Sequence, residues 1–303
     1  MASSRPDSET ILAGSSQAWI DGKTCIITGS NSGIGKATAT ALARMGATVV
    51  MVCRDKTKGE DARREVIAKS GAAESNLELM LADLSSLDSV RSLAAEFLET
   101  GEKLHVLVNN AGVILGERHA TKDGLETTFV VNYLSHFLLT NLLVDNLKSA
   151  APSRVISVTS DASRSAHMYF DDLQLEKGYG AIKAYGQSKL AQVLFTNELA
   201  KKLQGTGVTS NCLHPGAAAT NWGRHSAGAL SFFLRAASPF MISSEKAAET
   251  AVFLASSPDV TIVSGKFFYK KREAATSPEC NDEASARRLW QVSLALSGLP
   301  SDA

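Results

Sequence analysis

Between Lys23 and Tyr269 the chain alternates short apolar runs with longer stretches of helical period. The runs fall at 24–28, 48–53, 77–82, 105–109, 155–159, 209–213 and 266–269. Several are near-continuous Val, Ile and Leu, the pattern of strands covered on both faces. Helical periodicity occupies 34–45, 89–100, 127–148, 185–204 and 245–254, with Gly46 and either Gly205 or Gly207 placed to end helices. Strand, helix and strand in repetition imply right-handed crossovers and a parallel sheet. The expectation is an α/β, doubly wound fold with a seven-stranded, mostly parallel sheet and helices on both faces. No repeat or internal linker divides it, so residues 21–303 read as one domain after a flexible arm at 1–20.

The stretch from Met1 to Ala18 is polar and has no apolar core, which argues against a signal peptide or anchor. Nowhere are 18 apolar residues uninterrupted, so no transmembrane span is expected. The closest approach, 230–242, is short and carries Arg235 and Pro239. Composition is that of an ordinary globular protein: 303 residues, 44% hydrophobic and 20% charged. Lys plus Arg and Asp plus Glu are 31 each, so no global field marks nucleic acid or an anionic membrane as partner. Cysteines at 25, 53, 212 and 280 are too scattered for a metal knuckle and too few for a disulfide framework. Cys25 and Cys53 sit in apolar runs and read as small core residues. The six histidines show no metal-ligand spacing, so no metal is expected. A soluble cytoplasmic enzyme fits best.

Directly after the first run comes Thr28-Gly29-Ser30-Asn31-Ser32-Gly33-Ile34-Gly35, which opens a helix. Glycines at such a turn let backbone approach a pyrophosphate, and the helix N-terminus meets its charge. The spacing is TGxxxGxG rather than GxGxxG, and a plain tight turn is the rival reading. Placement between strand and helix favours a nucleotide site lined by Gly29, Ser30, Asn31, Gly33, Ile34 and Gly35. The second run ends at Cys53, and Arg54 follows 19 residues after Gly35. An acid here would bind the ribose hydroxyls of NAD and repel a 2′-phosphate. A guanidinium instead binds phosphate through charge-assisted bonds of about 1.5–3 kcal/mol each. Arg54 therefore favours NADP(H) over NAD(H). Asp55 as a ribose acid keeps NAD open, and an exposed strand-end charge is the plain alternative. Asp83 and Leu84 close the third strand, with Asp83 placed for the adenine amino group; a helix-cap aspartate is nearly as good a reading. After the fourth run, Asn110, Ala111 and Gly112 let backbone pass close to a cofactor.

Tyr185 and Lys189 stand at i and i+4, on one helical face. A free phenol titrates near 10; a neighbouring ammonium and an oxidised nicotinamide both favour the phenolate and would lower that value. Taken alone, YxxxK usually marks a solvated helix face. Ser160, at the end of the 155–159 run, can hold a carbonyl oxygen, and Asn132 can order a water beside Lys189. All four lie where open α/β sheets bind ligands, at strand C-terminal ends and the helices beside them.

In this order the motifs resemble the short-chain dehydrogenase/reductase family: TGSNSGIG at 28–35, NNAG at 109–112, Asn132, Ser160, YGQSK at 185–189 and His214-Pro215-Gly216. The resemblance runs from about residue 20 to the C-terminus and implies a Rossmann-type fold. Carried over by position, it implies Tyr185 as general acid/base and Lys189 as its activator and ribose contact. Ser160 would orient the substrate carbonyl, with Ser157 and Ser163 as competitors, and Asn132 would complete a proton relay. Pro215, Gly216 and Thr220 would line the nicotinamide end. A narrower resemblance is to the retinol dehydrogenase branch, carried by 131–143, 170–203, 205–216, 255–260, 263–268 and 286–293. It implies an NADPH-dependent reductase of lipophilic carbonyls, retinal-like or otherwise apolar. Relatives often form homodimers through the helices here at 127–148 and 185–204.

Apolar residues at 230–242 read either as a lid over the carbonyl, within a segment at about 217–245, or as a packed helix. Tyr169 and Tyr179 are placed to line the pocket entrance, and His167 reads as solvent-exposed. Two rival functions stand beside carbonyl reduction: reduction of a ring double bond, as in the related protochlorophyllide reductases, and a non-catalytic NADP-binding sensor.

Overall fold

The computed structural model describes residues 19–216 and 242–301. Its strands are β1 (Thr24–Thr28), β2 (Thr48–Cys53), β3 (Leu77–Leu81), β4 (Leu104–Asn109), β5 (Ser153–Val158), β6 (Val208–His214), β7 (Lys266–Tyr269) and β8 (Arg272–Glu273). They form one sheet in the order β3-β2-β1-β4-β5-β6-β7-β8. Every pairing is parallel except β7 with β8. The helices are α1 (Gly33–Arg44), α2 (Lys56–Ser70), α3 (Leu87–Glu99), α4 (Thr127–Ser149), α5 (Ala181–Lys202), α6 (Ser244–Ser256) and α7 (Glu283–Ser297).

Successive strand residues point to opposite faces, so a strand without polar positions needs cover on both sides. Ile26, Val50, Val52, Leu107 and Val155 face a core built with α3, α4, α5 and α7. Cys25, Ile27, Val49, Met51, Val106, Val108 and Ile156 face the opposite core, with α1, α2 and α6. Cys25 and Cys53 are both buried, as expected of small core residues.

The sheet has eight strands where seven were expected. The extra strand, β8, is two residues long and joined to β7 through Lys270 and Lys271, both at positive φ. Two charged residues leave no apolar run to read, and paired positive φ values are those of a tight hairpin turn. The expected arm also ends earlier: Ile20 is fully buried, and the Trp19 ring lies 3.8 Å beneath the Arg154 guanidinium. Residues 1–18 lie outside the described residues, as do 217–241 of the lid expected at about 217–245; its last residues are described, with Ile242 packed against Ile34 and Ala248 and Ser244 opening α6.

Among the described residues, α4 alone is long and apolar enough to cross a membrane, but its most apolar window is 78% buried inside the fold. The face it shares with α5 is covered by α7. Trp290 stacks on Phe195 at 5.8 Å and meets Phe137 edge-on at 5.0 Å, while the Tyr133 and Ser293 hydroxyls hydrogen-bond at 2.7 Å.

Candidate active site

The C-terminal ends of six parallel strands carry the residues singled out by their chemistry. β1 and β4 are neighbours from which the chain winds in opposite directions, and such a switch point opens a crevice. The crevice floor is fastened by Thr28. Its hydroxyl accepts from the backbone N–H groups of Asn110 at 2.9 Å and Ala111 at 3.0 Å. The Asn110 amide in turn donates to the Thr28 carbonyl at 2.7 Å.

Gly29 and Gly33 have positive φ values of 66° and 55°, so side chains there would strain the turn. At Gly35 the constraint is space: a Cβ would lie 2.5 Å from both the Asn110 amide nitrogen and the Gly29 carbonyl oxygen. The N-cap Ser32 gives no side-chain hydrogen bond, and the first turn of α1 has no acid. Its leading N–H groups are therefore available to an anion. Ser30 is buried, its hydroxyl turned toward the Val52 carbonyl and Cys53 Sγ, whose thiol burial pushes up. Asn31 and Ile34 complete the turn.

At the end of β2, Arg54 is exposed and no hydrogen bond or ion pair engages it among the described residues. Asp55 is committed elsewhere, since its carboxylate caps α2 by accepting from the Lys58 N–H at 3.0 Å. Asp83 accepts from the backbone N–H and hydroxyl of Ser85 through Oδ1, beside the buried Leu84.

The second half of the site is built on α5 against β4, β5 and α4. Ser160 follows β5 and caps a short turn, accepting from the Ala162 N–H at 3.2 Å. Its side chain lies close enough to the Tyr185 hydroxyl to favour the phenolate. The competing serines are placed differently: Ser157 lies inside β5, and Ser163 donates to the Ser160 carbonyl at 2.7 Å. Tyr185 is buried, and burial raises its pKa while the Ser160 contact opposes the rise. The lowering expected from Lys189 together with an oxidised nicotinamide belongs to the cofactor-loaded site; in the protein alone desolvation of the phenolate is the larger influence. Lys189 lies with its ammonium 5.6 Å from the Tyr185 ring centre. It donates to the Val158 carbonyl and to Gln192 Oε1, each at 2.9 Å. Burial, with 1% of the side chain exposed, lowers its pKa to about 7. Gly112, after β4, lies against this pair: a Cβ there would sit 3.3 Å from Asn132 Oδ1 and 3.5 Å from the Lys189 nitrogen.

Asn132 lies in a wide turn of α4, Val130–Leu134, of a kind that recurs at functional sites. Its amide nitrogen donates to the Val113 carbonyl and the Ser188 hydroxyl, both at 2.9 Å, and its oxygen accepts from the Val113 N–H at 2.7 Å. One turn on, His136 bridges the two halves. Its Nδ1 is 3.0 Å from the Asn132 carbonyl and its Nε2 2.9 Å from the Thr28 hydroxyl. Burial pushes its pKa down to about 3, so the ring is neutral at pH 7. A carbonyl can only accept, hence Nδ1 carries the hydrogen and Thr28 donates to Nε2.

Pro215 and Gly216 leave β6 at the same edge, Gly216 at φ 89°; Thr220 lies outside the described residues. Tyr179 donates to the Leu115 carbonyl at 3.0 Å, Tyr169 carries the Lys183 ammonium over its ring, and His167 is exposed beside Glu279. Metal-ligating clusters are absent among the described residues.

The short chain dehydrogenase family model matches residues 23–228, which takes in both halves of the site. The chain belongs to the short-chain dehydrogenase/reductase family. It is similar to human retinol dehydrogenase 13, with 45% identity over 94% of this chain and 87% of that protein. Mouse retinol dehydrogenase 14 is 42% identical over 98% of this chain and 92% of its own length. Among solved structures, an uncharacterized protein from Mycobacterium paratuberculosis aligns with a TM-score of 0.76 at 32% identity, covering 94% of this chain and 96% of that one. Pseudomonas aeruginosa RhlG, solved with NADP in its active site, aligns at 0.66 and 29% identity over 82% and 94%. This chain is therefore an oxidoreductase of the retinol dehydrogenase-like kind. The glycine cradle, the uncapped end of α1 and the close pass at Gly112 fit a nicotinamide dinucleotide.

Three residues of this constellation escaped the sequence reading in their roles: Thr28 as fastener, His136 as bridge and Gln192 as partner of Lys189. Gln192 stands at i+3 from Lys189 and i+7 from Tyr185, a spacing that puts all three on one helical face. His136 stands at i+4 from Asn132, but its link to Thr28 spans 108 residues and leaves no local signal.

Proposed function

We propose that the protein is an NADP(H)-dependent oxidoreductase acting between the nicotinamide and the carbonyl of a lipophilic aldehyde or ketone. The observation that carries this reading is the meeting of Ser160, Tyr185 and Lys189 beside the glycine cradle. When bound, the dinucleotide supplies or accepts the hydride. The chain's own residues handle the oxygen. Tyr185, kept protonated by burial, donates its hydrogen to the carbonyl oxygen, and Ser160 donates a second hydrogen bond that strengthens as negative charge develops there. Lys189, with two of its N–H groups on Val158 and Gln192, would hold the ribose of a bound dinucleotide with the third, and its positive charge eases loss of the Tyr185 proton. Asn132 holds the Val113 loop against α5 through its bonds to Val113 and Ser188.

Preference for NADP(H) is supported by the unengaged guanidinium of Arg54 and by Asp55 being taken as a helix cap. RhlG carries NADP on the same fold. A lipophilic substrate is supported by the names of the relatives, retinol dehydrogenases 13 and 14.

The test is a panel of retinal, simple ketones, aryl aldehydes and activated alkenes, followed by loss of NADPH absorbance and repeated with NADH. Carbonyl turnover that falls at least about 100-fold in Tyr185→Phe, with NADPH binding unchanged, is the expected result. Turnover of alkenes alone assigns the ring double-bond reaction instead, and tight NADPH binding without consumption assigns a sensor. Full activity in Tyr185→Phe overturns the mechanism.

A further inference from the structure

We propose that Gln192 is a positioning residue for Lys189: its side-chain oxygen keeps the buried ammonium charged and aimed at the tyrosine and the ribose site. The inference rests on the carbonyl-reductase reading above and assigns it a further participant. Gln192 is 1% exposed, and its Oε1 accepts from the Lys189 ammonium at 2.9 Å. An ammonium only donates, so the amide must present oxygen to it. The other end of this amide, Nε2, is buried and has no hydrogen-bond partner among the described residues.

A neighbouring glutamine shows what a fastening role looks like. Gln187, equally buried on the same helix, uses both ends: Oε1 accepts from the Tyr169 N–H at 3.0 Å and Nε2 donates to the Leu173 carbonyl at 3.0 Å. It ties down the segment before α5. Among the described residues the Gln192 side chain ties down no segment and bonds only Lys189.

The electrostatic surroundings make that service consequential. Among the described residues no carboxylate pairs with Lys189; its acceptors are the Val158 carbonyl and Gln192. From its own helix the nearest titratable group is Tyr185, and from α4 it is His136, whose own charging Lys189 opposes. Two of three N–H bonds are therefore spent on neutral oxygens, leaving one for the ribose. The Val158 acceptor is backbone and present whatever the sequence. Gln192 is the acceptor that a substitution can remove.

The experiment follows the Lys189 Nζ and Cε signals by NMR in the full chain without added cofactor, assigned by their absence in Lys189→Met. Gln192→Met, which keeps length and apolar packing, is expected to move the Lys189 titration down by about one pH unit, the worth of a charge-assisted hydrogen bond. Gln192→Glu is expected to move it up. The high-pH limb of kcat is expected to follow in the same directions, with dinucleotide KM changing far less. A purely packing role predicts no reversal of sign. An unmoved Lys189 titration in folded Gln192→Met overturns the proposal, whatever the fate of the glutamate variant. Absence of any carbonyl turnover in the unmodified protein overturns the functional reading instead, and the titration still decides Gln192.

Discussion

Lys189→Met is expected to flatten the dependence of stability on pH across the neutral and mildly alkaline range. The reasoning starts from burial. Lys189 has 1% of its side chain exposed and titrates at about 7 in the folded protein, against an ordinary 10.5. Above 10.5 the amine is neutral in both states and costs nothing electrostatic. As pH falls toward 7 the unfolded chain takes up a proton that the folded chain resists, so stability is lost on the way down and none further below the folded value. At about 1.36 kcal/mol per pH unit, the whole interval corresponds to about 5 kcal/mol, and the part between pH 7 and 9.5 to about 3 kcal/mol. Methionine of similar length carries no such cost. The assay is urea unfolding of both proteins at half-unit steps from pH 6 to 9.5, read by tryptophan fluorescence and circular dichroism. The difference in unfolding free energy, unmodified protein minus variant, is expected to rise by about 3 kcal/mol over that range. Taking the difference removes every other titrating group that the two share. Parallel curves refute the reasoning, because they mean that Lys189 keeps its solution pKa inside the fold.

Two further outcomes follow from the dinucleotide half of the site. Arg54→Ala is expected to raise the KM for NADPH about tenfold to a hundredfold while leaving that for NADH within about twofold, as loss of charge-assisted bonds to a 2′-phosphate requires; equal effects on both cofactors reject the assignment. Gly35→Ala brings a Cβ to 2.5 Å from the Asn110 amide and the Gly29 carbonyl. Breaking the Asn110 bonds and straining the turn is expected to cost about 2–4 kcal/mol in urea unfolding and to abolish dinucleotide binding by calorimetry, whereas unchanged values show that the turn has room to spare.

The strands show how much the chain reveals locally. β1, β2 and β7 have the ends that their apolar runs predict, because each run is bounded by glycine, proline-free turns or charge. β8 was invisible, since a two-residue charged strand exists only by pairing with β7. The candidate site divides along the same line. Tyr185 and Lys189 were legible as a helical i, i+4 pair, and Gly29, Gly33 and Gly35 as a strand-to-helix turn. Ser160 was legible by its strand-end position, whereas its proximity to Tyr185, far along the chain, appears only in the tertiary structure. The rise of the Tyr185 pKa in the protein without cofactor was not legible, for the sequence names the cationic neighbour but not the depth at which the phenol is buried.

Periodicity and turn chemistry are properties of neighbours along the chain, and they alone determined the order of strands and helices, the nucleotide turn and the tyrosine–lysine face. Desolvation and long-range hydrogen bonding are properties of what packs against what. Only the tertiary structure could therefore set the protonation of Tyr185, Lys189 and His136, bind Thr28 to His136 across 108 residues, and close the α4–α5 face with Trp290 of α7.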